Sequence, residues 1–213
     1  MDGLSEFKQL QPCSLISELT DLIDTHLPNF KGSSEFVNIL EKKKNENQHS
    51  LSFCVYMTNK CHSRFYFGRE NAQLGSSVID IGIYYGGNLI FTIEAKLLPT
   101  PIGTPKSPRD EHEYVYGKGA GIQRFKEEKH GLDNVGNLLP ENGMIAFIKE
   151  KDYAHWLETV NRWVDDAKWA ATEKLSGNIN APVVKLNSTH TRKSSTTLTL
   201  YHYWISVQVI DTH

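Results

Sequence analysis

Residues 78–97 read VIDIGIYYGGNLIFTIEAKL, and the pairing of this stretch decides the fold. Apolar runs on either side of Gly86-Gly87-Asn88 predict a β-hairpin. Successive side chains of a strand point to opposite faces. On the first arm Ile79, Ile81 and Ile83 share one face, with Asp80 on the other. On the second arm Phe91, Ile93, Ala95 and Leu97 share a face, and Thr92, Glu94 and Lys96 lie opposite. Pairing Tyr85 with Asn88 across two residues sets these faces out of step. Pairing Tyr85 with Leu89 around a three-residue loop matches them. Asp80 then sits opposite Glu94, with Cβ atoms roughly 4.5–5.5 Å apart. Like charges so placed repel each other, and a bound cation reverses that effect. Lys96 follows on the same face, about 6.6–6.8 Å along the strand.

Upstream, Pro12 and Ser14 mark a helix start, and Leu15, Ile16, Leu19, Leu22 and Ile23 form a stripe at helical spacing. Pro28 and Gly32 end it. Ser33 or Ser34 caps a second helix whose Phe36, Val37 and Leu40 face the core. Lys42-Lys43-Lys44 reads as its solvated C-terminus. Leu51–Met57 and Arg64–Phe67 read as two strands around Asn59-Lys60. Downstream, residues 98–116 hold four prolines and exclude a helix interior. Because this loop leaves directly from Lys96, it is placed to fold over a substrate. A helix follows over Gly117–His130, then a buried strand over Met144–Ile148 after Asn142-Gly143. Asp152 opens a long helix to about Leu175. Its stripe of Trp156, Val160, Trp163, Ala167 and Ala170 reads as core. Residues 177–196 are polar and loop-like. Leu198–Val209 is a last strand, with Tyr201, Tyr203, Ile205, Val207 and Val209 on one face and His202 and Trp204 on the other.

The chain has 213 residues and a formal net charge of −2. Its composition is that of an ordinary globular domain. A near-neutral balance gives no global signal for nucleic acid, although a local basic patch suffices for one. The three cysteines, Cys13, Cys54 and Cys61, have no zinc spacing. Their odd number, with no leader sequence, predicts a cytoplasmic protein. No apolar run approaches the ~20 residues of a membrane span.

An Asp on one strand followed by Glu94-Ala95-Lys96 on the next resembles the signature of the PD-(D/E)XK nuclease superfamily, with Ile79 standing where Pro often precedes the Asp. By order of elements the resemblance extends over residues 33–150. It implies an α/β (α+β-like) fold with a restriction-endonuclease-like core, a central mixed β-sheet flanked by helices. The expectation is one nuclease-like domain over residues 1–213. Its core lies at about 33–150, with a helical N-terminal addition and a helix-strand C-terminal one.

Two facing carboxylates suit a hard divalent cation, which takes oxygen ligands. Asp80 and Glu94 are the candidate metal ligands, and the resemblance adds the Ala95 carbonyl. The expected cofactor is Mg²⁺, with Mn²⁺ as a substitute. Lys96 is the candidate to orient the attacking water or stabilise the transition state. Gln123 is a further candidate, because such proteins often carry a Gln on the helix after Glu-Xaa-Lys. A Gln-Xaa-Xaa-Xaa-Tyr version is not met, since Glu127 stands at its last position. A second acid is expected from an N-terminal helix, and Glu35 is chosen ahead of Glu18 and Glu41. Lys106, Arg109, Lys126 and Lys129 are the candidate substrate contacts. The expected activity is Mg²⁺-dependent endonucleolytic hydrolysis of nucleic acid, with DNA as partner and a homodimer as a possible assembly. The alternative is a noncatalytic nuclease-like binding or assembly subunit.

Overall fold

A computed structural model describes residues 12–40, 45–73, 75, 77–105, 108–181 and 184–208. Glu41, Lys42-Lys43-Lys44, Lys106 and Val209 lie outside the described residues. Helix α1 spans Pro12–His26, a 3₁₀ turn covers Leu27–Gly32, and α2 covers Ser34–Leu40. Ser33 caps α2, its Oγ accepting from the Phe36 amide at 3.2 Å.

The next element departs from expectation. Leu51–Met57 is not a strand but part of helix α3, Glu46–Lys60. Asn45 starts it, its Oδ1 accepting from the Gln48 amide at 2.9 Å. The buried stripe runs through His49, Phe53, Tyr56 and Met57, together with Ser50, Ser52 and Cys54. Small polar members hid the helical period, and the apolar remainder passed for a short strand.

Strands β1 (Tyr66–Ala72), β2 (Val78–Tyr85) and β3 (Asn88–Leu98) follow as an antiparallel meander. After a long loop come α4 (Ile122–Lys126), β4 (Glu141–Ile148) and α5 (Tyr153–Asp166). Strands β5 (Ser176–Asn178), β6 (Val184–Thr191) and β7 (Thr197–Ser206) complete the chain. All seven form one sheet in the order β1-β2-β3-β4-β7-β6-β5. β4 pairs in parallel with both β3 and β7, and the other pairings are antiparallel. The fold is therefore α/β with a mixed sheet flanked by helices, as expected.

Each face of the sheet carries a core. Under α1, α2 and α3 pack Ile81, Ile83, Phe91, Ile93, Ala95, Leu97, Tyr203 and Ile205. The other face holds Met144, Ala146, Ile148, Leu186 and Trp204 beneath Trp156, Val160, Trp163 and Val164 of α5. Trp156, Val160 and Trp163 of the expected stripe are core, but α5 is shorter than expected and leaves Ala167 half-buried and Ala170 exposed. Asp152 caps it by accepting from the His155 amide at 2.8 Å, and Lys168 in the left-handed conformation (φ 57°) closes it.

Three further differences have local causes. The helix expected over Gly117–His130 is reduced to the five residues of α4. Residues 177–196 are not a loop but hold β6, whose inward face is Val184, Leu186, Ser188 and His190. Two of these four are polar and are bonded to each other inside. Ser188 Oγ bonds His190 Nε2 and His202 Nε2, each at 2.7 Å, and His202 Nδ1 bonds the Tyr114 hydroxyl at 2.8 Å. Asn142-Gly143, expected just ahead of the strand, is part of β4. Asn142 Oδ1 accepts from Thr92 Oγ1 at 2.7 Å, and a Cβ on Gly143 would come within 2.9 Å of Ile93 Cγ1 and 3.0 Å of Phe91 Cε1.

Candidate active site

The β2–β3 turn is the two-residue one, with Tyr85 opposite Asn88 and Tyr84 opposite Leu89. Gly86 and Gly87 both have positive φ, 55° and 83°, which a tight turn of this hand requires. Register then shifts at a bulge, and Ile83 faces Phe91, Gly82 faces Thr92 and Ile81 faces Ile93. Ile90 is the extra residue. The bulge restores the pairing that the sequence called for, by a different route from the expected three-residue loop.

At Asp80 the pairing of β2 lapses toward both neighbours. Arg69 still faces Ile81 and Asn71 faces Ile79, but Glu70 between them adopts φ 51°. The strand rolls here. Ile79 consequently packs in the core beneath α5 rather than beside Ile81 and Ile83, contrary to a strict alternation.

Past Ile93, β3 continues alongside β4 only. Its amides on the opened edge donate to carboxylates instead of to a strand. Ala95 N–H donates to Asp80 Oδ2 at 2.8 Å, and Leu97 N–H to Glu46 Oε2 at 3.1 Å. These amides lie about 6.6–6.8 Å apart along the strand. The N–H and C=O of one strand residue point the same way, so the Ala95 carbonyl also faces the Asp80 side. Asp80 Oδ1 and Glu46 Oε1 take no part in these bonds.

Glu94 and Lys96 are both buried, and Lys96 Nζ donates to Glu94 Oε1 at 2.7 Å. Arg124 Nη1 approaches the same oxygen at 3.6 Å, and Nδ1 of the fully buried His130 lies 3.3 Å from Glu94 Oε2. Glu94 Oε2 itself makes no hydrogen bond among the described residues. Arg109 reaches back from the proline-rich loop, bonding Glu113 Oε2 through Nε and Nη2 and standing 3.6 Å from Glu46 Oε2.

The charges of this cluster respond differently to burial. Burial pushes the Asp80 carboxyl up and the charge of Glu94 pushes it further, while Lys96 and the Ala95 amide oppose them. The result is a pKa of about 7. Burial also works against Glu94, but Lys96 and His130 overcome it and hold that carboxyl below the usual range. Burial opposes the charge of Lys96, and Glu94, Glu46 and Asp80 together keep it cationic. The site holds one ionised pair, and beside it one acid poised between protonation states.

Other expected residues stand elsewhere. Glu35 accepts from Asn59 Nδ2 at 3.0 Å and Ser34 Oγ at 3.1 Å, and Glu18 accepts from Arg64 Nε at 2.6 Å and Nη2 at 2.7 Å. The helical acid at this site is Glu46, which the misread helix concealed. Its signal was the Asn45-Glu46-Asn47-Gln48 run, a capping residue with Gln three positions on. Gln123 does not face the acids: its Oε1 accepts from the Gly117 amide at 2.9 Å and its Nε2 donates to Glu127 at 2.6 Å. The candidate substrate cations among the described residues are already paired, Arg109 as described, Lys126 with Glu173 and Lys129 with Glu127. His130 and Arg124 were not expected at the site, and nothing in their sequence context marks them. Cys54 and Cys61 are buried free thiols, and burial pushes their pKa values up to about 12 and about 11. They pack in the core, so they form no metal site.

Comparison with protein-family models, curated proteins and solved structures returns no match. Among the described residues, no three His, Cys, Asp or Glu side chains stand together as a metal-holding group, and no helix is long and apolar enough to cross a membrane. The donors on the opened edge are the Asp80 and Glu46 carboxylates, bonded to the Ala95 and Leu97 amides, and the Ala95 carbonyl. They are all oxygens. That set fits a hard cation bound through one or two carboxylates with water completing its shell.

Proposed function

We propose that this chain is a divalent-cation-dependent nuclease that hydrolyses phosphodiester bonds in DNA. The observation that carries the reading is the opened β3 edge. There Asp80 accepts from the amide of Ala95, the residue between the bonded Glu94 and Lys96, and this supports the reading that the resemblance to PD-(D/E)XK nucleases implies. The order α3–β1–β2–β3–α4–β4 supports it, being the helix, three strands, helix, strand sequence of that core.

Mg²⁺ or Mn²⁺ would be held by Asp80, Glu94 and the Ala95 carbonyl, where it would supply positive charge at the phosphate and acidify a water. The chain's own part is positional. Asp80 is held by the Ala95 amide with one oxygen left over. Lys96, kept charged by three acids, donates to Glu94 and is placed to donate to a phosphate oxygen or the attacking water. Hydrolysis adds the water oxygen to phosphorus and breaks one P–O ester bond, leaving a phosphate monoester and a hydroxyl.

The test is cleavage of supercoiled plasmid, linear duplex and single-stranded DNA with Mg²⁺, Mn²⁺ or EDTA, for the wild type and for Glu94→Gln. Metal-dependent nicking lost in the variant is the expected result. A second reading, a noncatalytic binding or assembly subunit, is favoured by one observation: Lys96, Arg124 and His130 already surround Glu94. Absence of cleavage on every substrate, together with no rise of Tm in Mg²⁺ or Mn²⁺, selects it.

A further inference from the structure

Helix α4 faces two ways. Arg124 turns toward Glu94, whereas Gln123 and Lys126 line a separate cleft of about 420 Å³. That volume is within the range of small-molecule sites. The opposite wall is the β6–β7 turn with Arg192 and Lys193, and Tyr116 and Trp169 contribute aromatic surface.

Arg192 is the unusual member. Only 4% of its surface is exposed, yet no carboxylate lies within 4.0 Å of its guanidinium among the described residues. Nη2 donates to the Leu139 carbonyl, and Nε has no partner. Glu128 offsets this charge from a distance without bonding it, and its own Oε1 accepts from the Ser194 amide, so the buried Nε is what remains to be satisfied. Lys193, next to it, is exposed and likewise free of ion pairs among the described residues. Lys126 contributes less, since Glu173 holds its Nζ, which sits 4.2 Å from the Trp169 ring centroid. The turn is firmly held: Arg192 N–H donates to the Thr196 carbonyl and Lys193 N–H to the Lys126 carbonyl, each at 2.9 Å. The one acid in the lining, Glu127, is engaged by Lys129 and Gln123.

We propose that this cleft binds one nucleotide of a nucleic-acid strand, its phosphate taken by Arg192 and Lys193 and its base placed against Trp169 and Tyr116. Planar guanidinium groups match phosphate oxygens, and base–aromatic stacking tolerates any base. The assignment of a strand rests on the nuclease reading; the unpartnered Nε of Arg192 beside the exposed Lys193 does not. On that reading α4 joins the two sites, so the cleft holds a nucleotide flanking the phosphate to be cut.

The experiment is a binding titration of the full chain in EDTA, where no cleavage can occur. The probes are a fluorescein-labelled single-stranded DNA 12-mer, 2′-deoxyadenosine 5′-monophosphate and inorganic phosphate. Anisotropy reads the 12-mer, and tryptophan emission reads the small probes, Trp169 being the tryptophan in the cleft. Lys193→Glu should weaken the 12-mer about tenfold and lower its salt slope by about 0.7. Arg192→Gln should weaken it about 30-fold. Lys193→Glu touches no buried group, so it remains informative if Arg192→Gln fails to fold. Binding of the 12-mer that neither Arg192→Gln nor Lys193→Glu weakens overturns the proposal. So does binding of phosphate or the mononucleotide with no affinity for the 12-mer, which would make the cleft a small-anion site. Failure of the nuclease reading looks different: the 12-mer binds, both variants weaken it, and no substrate is cut when metal is restored.

Discussion

Asp80→Asn should make the metal-free protein more stable. Asp80 Oδ2 accepts from the Ala95 amide, and the Asn carbonyl oxygen can keep that bond. What the change removes is a charge that its surroundings resist. A carboxyl moved from 3.8 to about 7 by burial and Glu94 is easier to ionise in the unfolded chain than in the folded one. The sign follows directly: the folded state holds the proton more tightly, so stability falls as pH rises from about 4 to about 7 and stays low above that. At ~1.4 kcal/mol per pH unit the full span is about 4 kcal/mol. Solvent at this partly buried group reduces it, and about 2 kcal/mol is a reasonable expectation at pH 8. For a chain of this size that is a Tm increase of about 4–8 °C in EDTA. At pH 4, where Asp80 is protonated when folded, the gain should largely vanish. Differential scanning calorimetry in EDTA at pH 4, 6 and 8, with wild type alongside, measures all of this. Added Mg²⁺ should then raise the Tm of the wild type and not of the variant. A variant destabilised at pH 8 would refute the reasoning, and would mean that Asp80 is ionised and bonded in the folded chain as a structural group.

Lys96→Met should destabilise the protein by about 3 kcal/mol in urea unfolding, because it strips Glu94 of its 2.7 Å partner in a buried setting; it should also abolish cleavage. Glu173→Gln should flatten the acid limb of stability. Burial opposes the charge of Glu173, but His190, Lys126 and the Thr191 amide hold its carboxyl at about 2. Its contribution is thus present above about 4.5 and lost as pH falls toward about 2, which calorimetry between pH 2 and 5 will register. Gly143→Ala should cost about 1–3 kcal/mol, since its Cβ meets Ile93 and Phe91 within the sheet; an unchanged Tm would mean that the Phe91 ring moves freely.

The pattern of alternation along residues 78–97 contained the two central strands, the Ile81–Ile93 pairing and the closeness of Glu94 and Lys96. It could not contain the roll at Asp80, because a period-two argument assumes continuous pairing and the site exists where pairing stops. The same limit explains β6, whose inward Ser188 and His190 are made tolerable by His202, a residue on another strand. Glu46 was missed for a local reason, a helix disguised by buried serines and a histidine. Arg124 and His130 were beyond reach, since only the tertiary path of the chain after α4 brings them to Glu94.

The bulge at Ile90 has a bearing on how this hairpin tolerates changes in length. Removing Ile90 alone would leave a regular two-residue hairpin in which Tyr84 still faces Leu89 and Ile83 still faces Phe91. The bulge absorbs the odd residue before the paired stretch leading to Asp80 and Glu94 begins. The tip of the hairpin is thereby uncoupled from the acids at its far end. Insertions and deletions that respect parity can accumulate around Gly86-Gly87 without turning a single site residue to the wrong face.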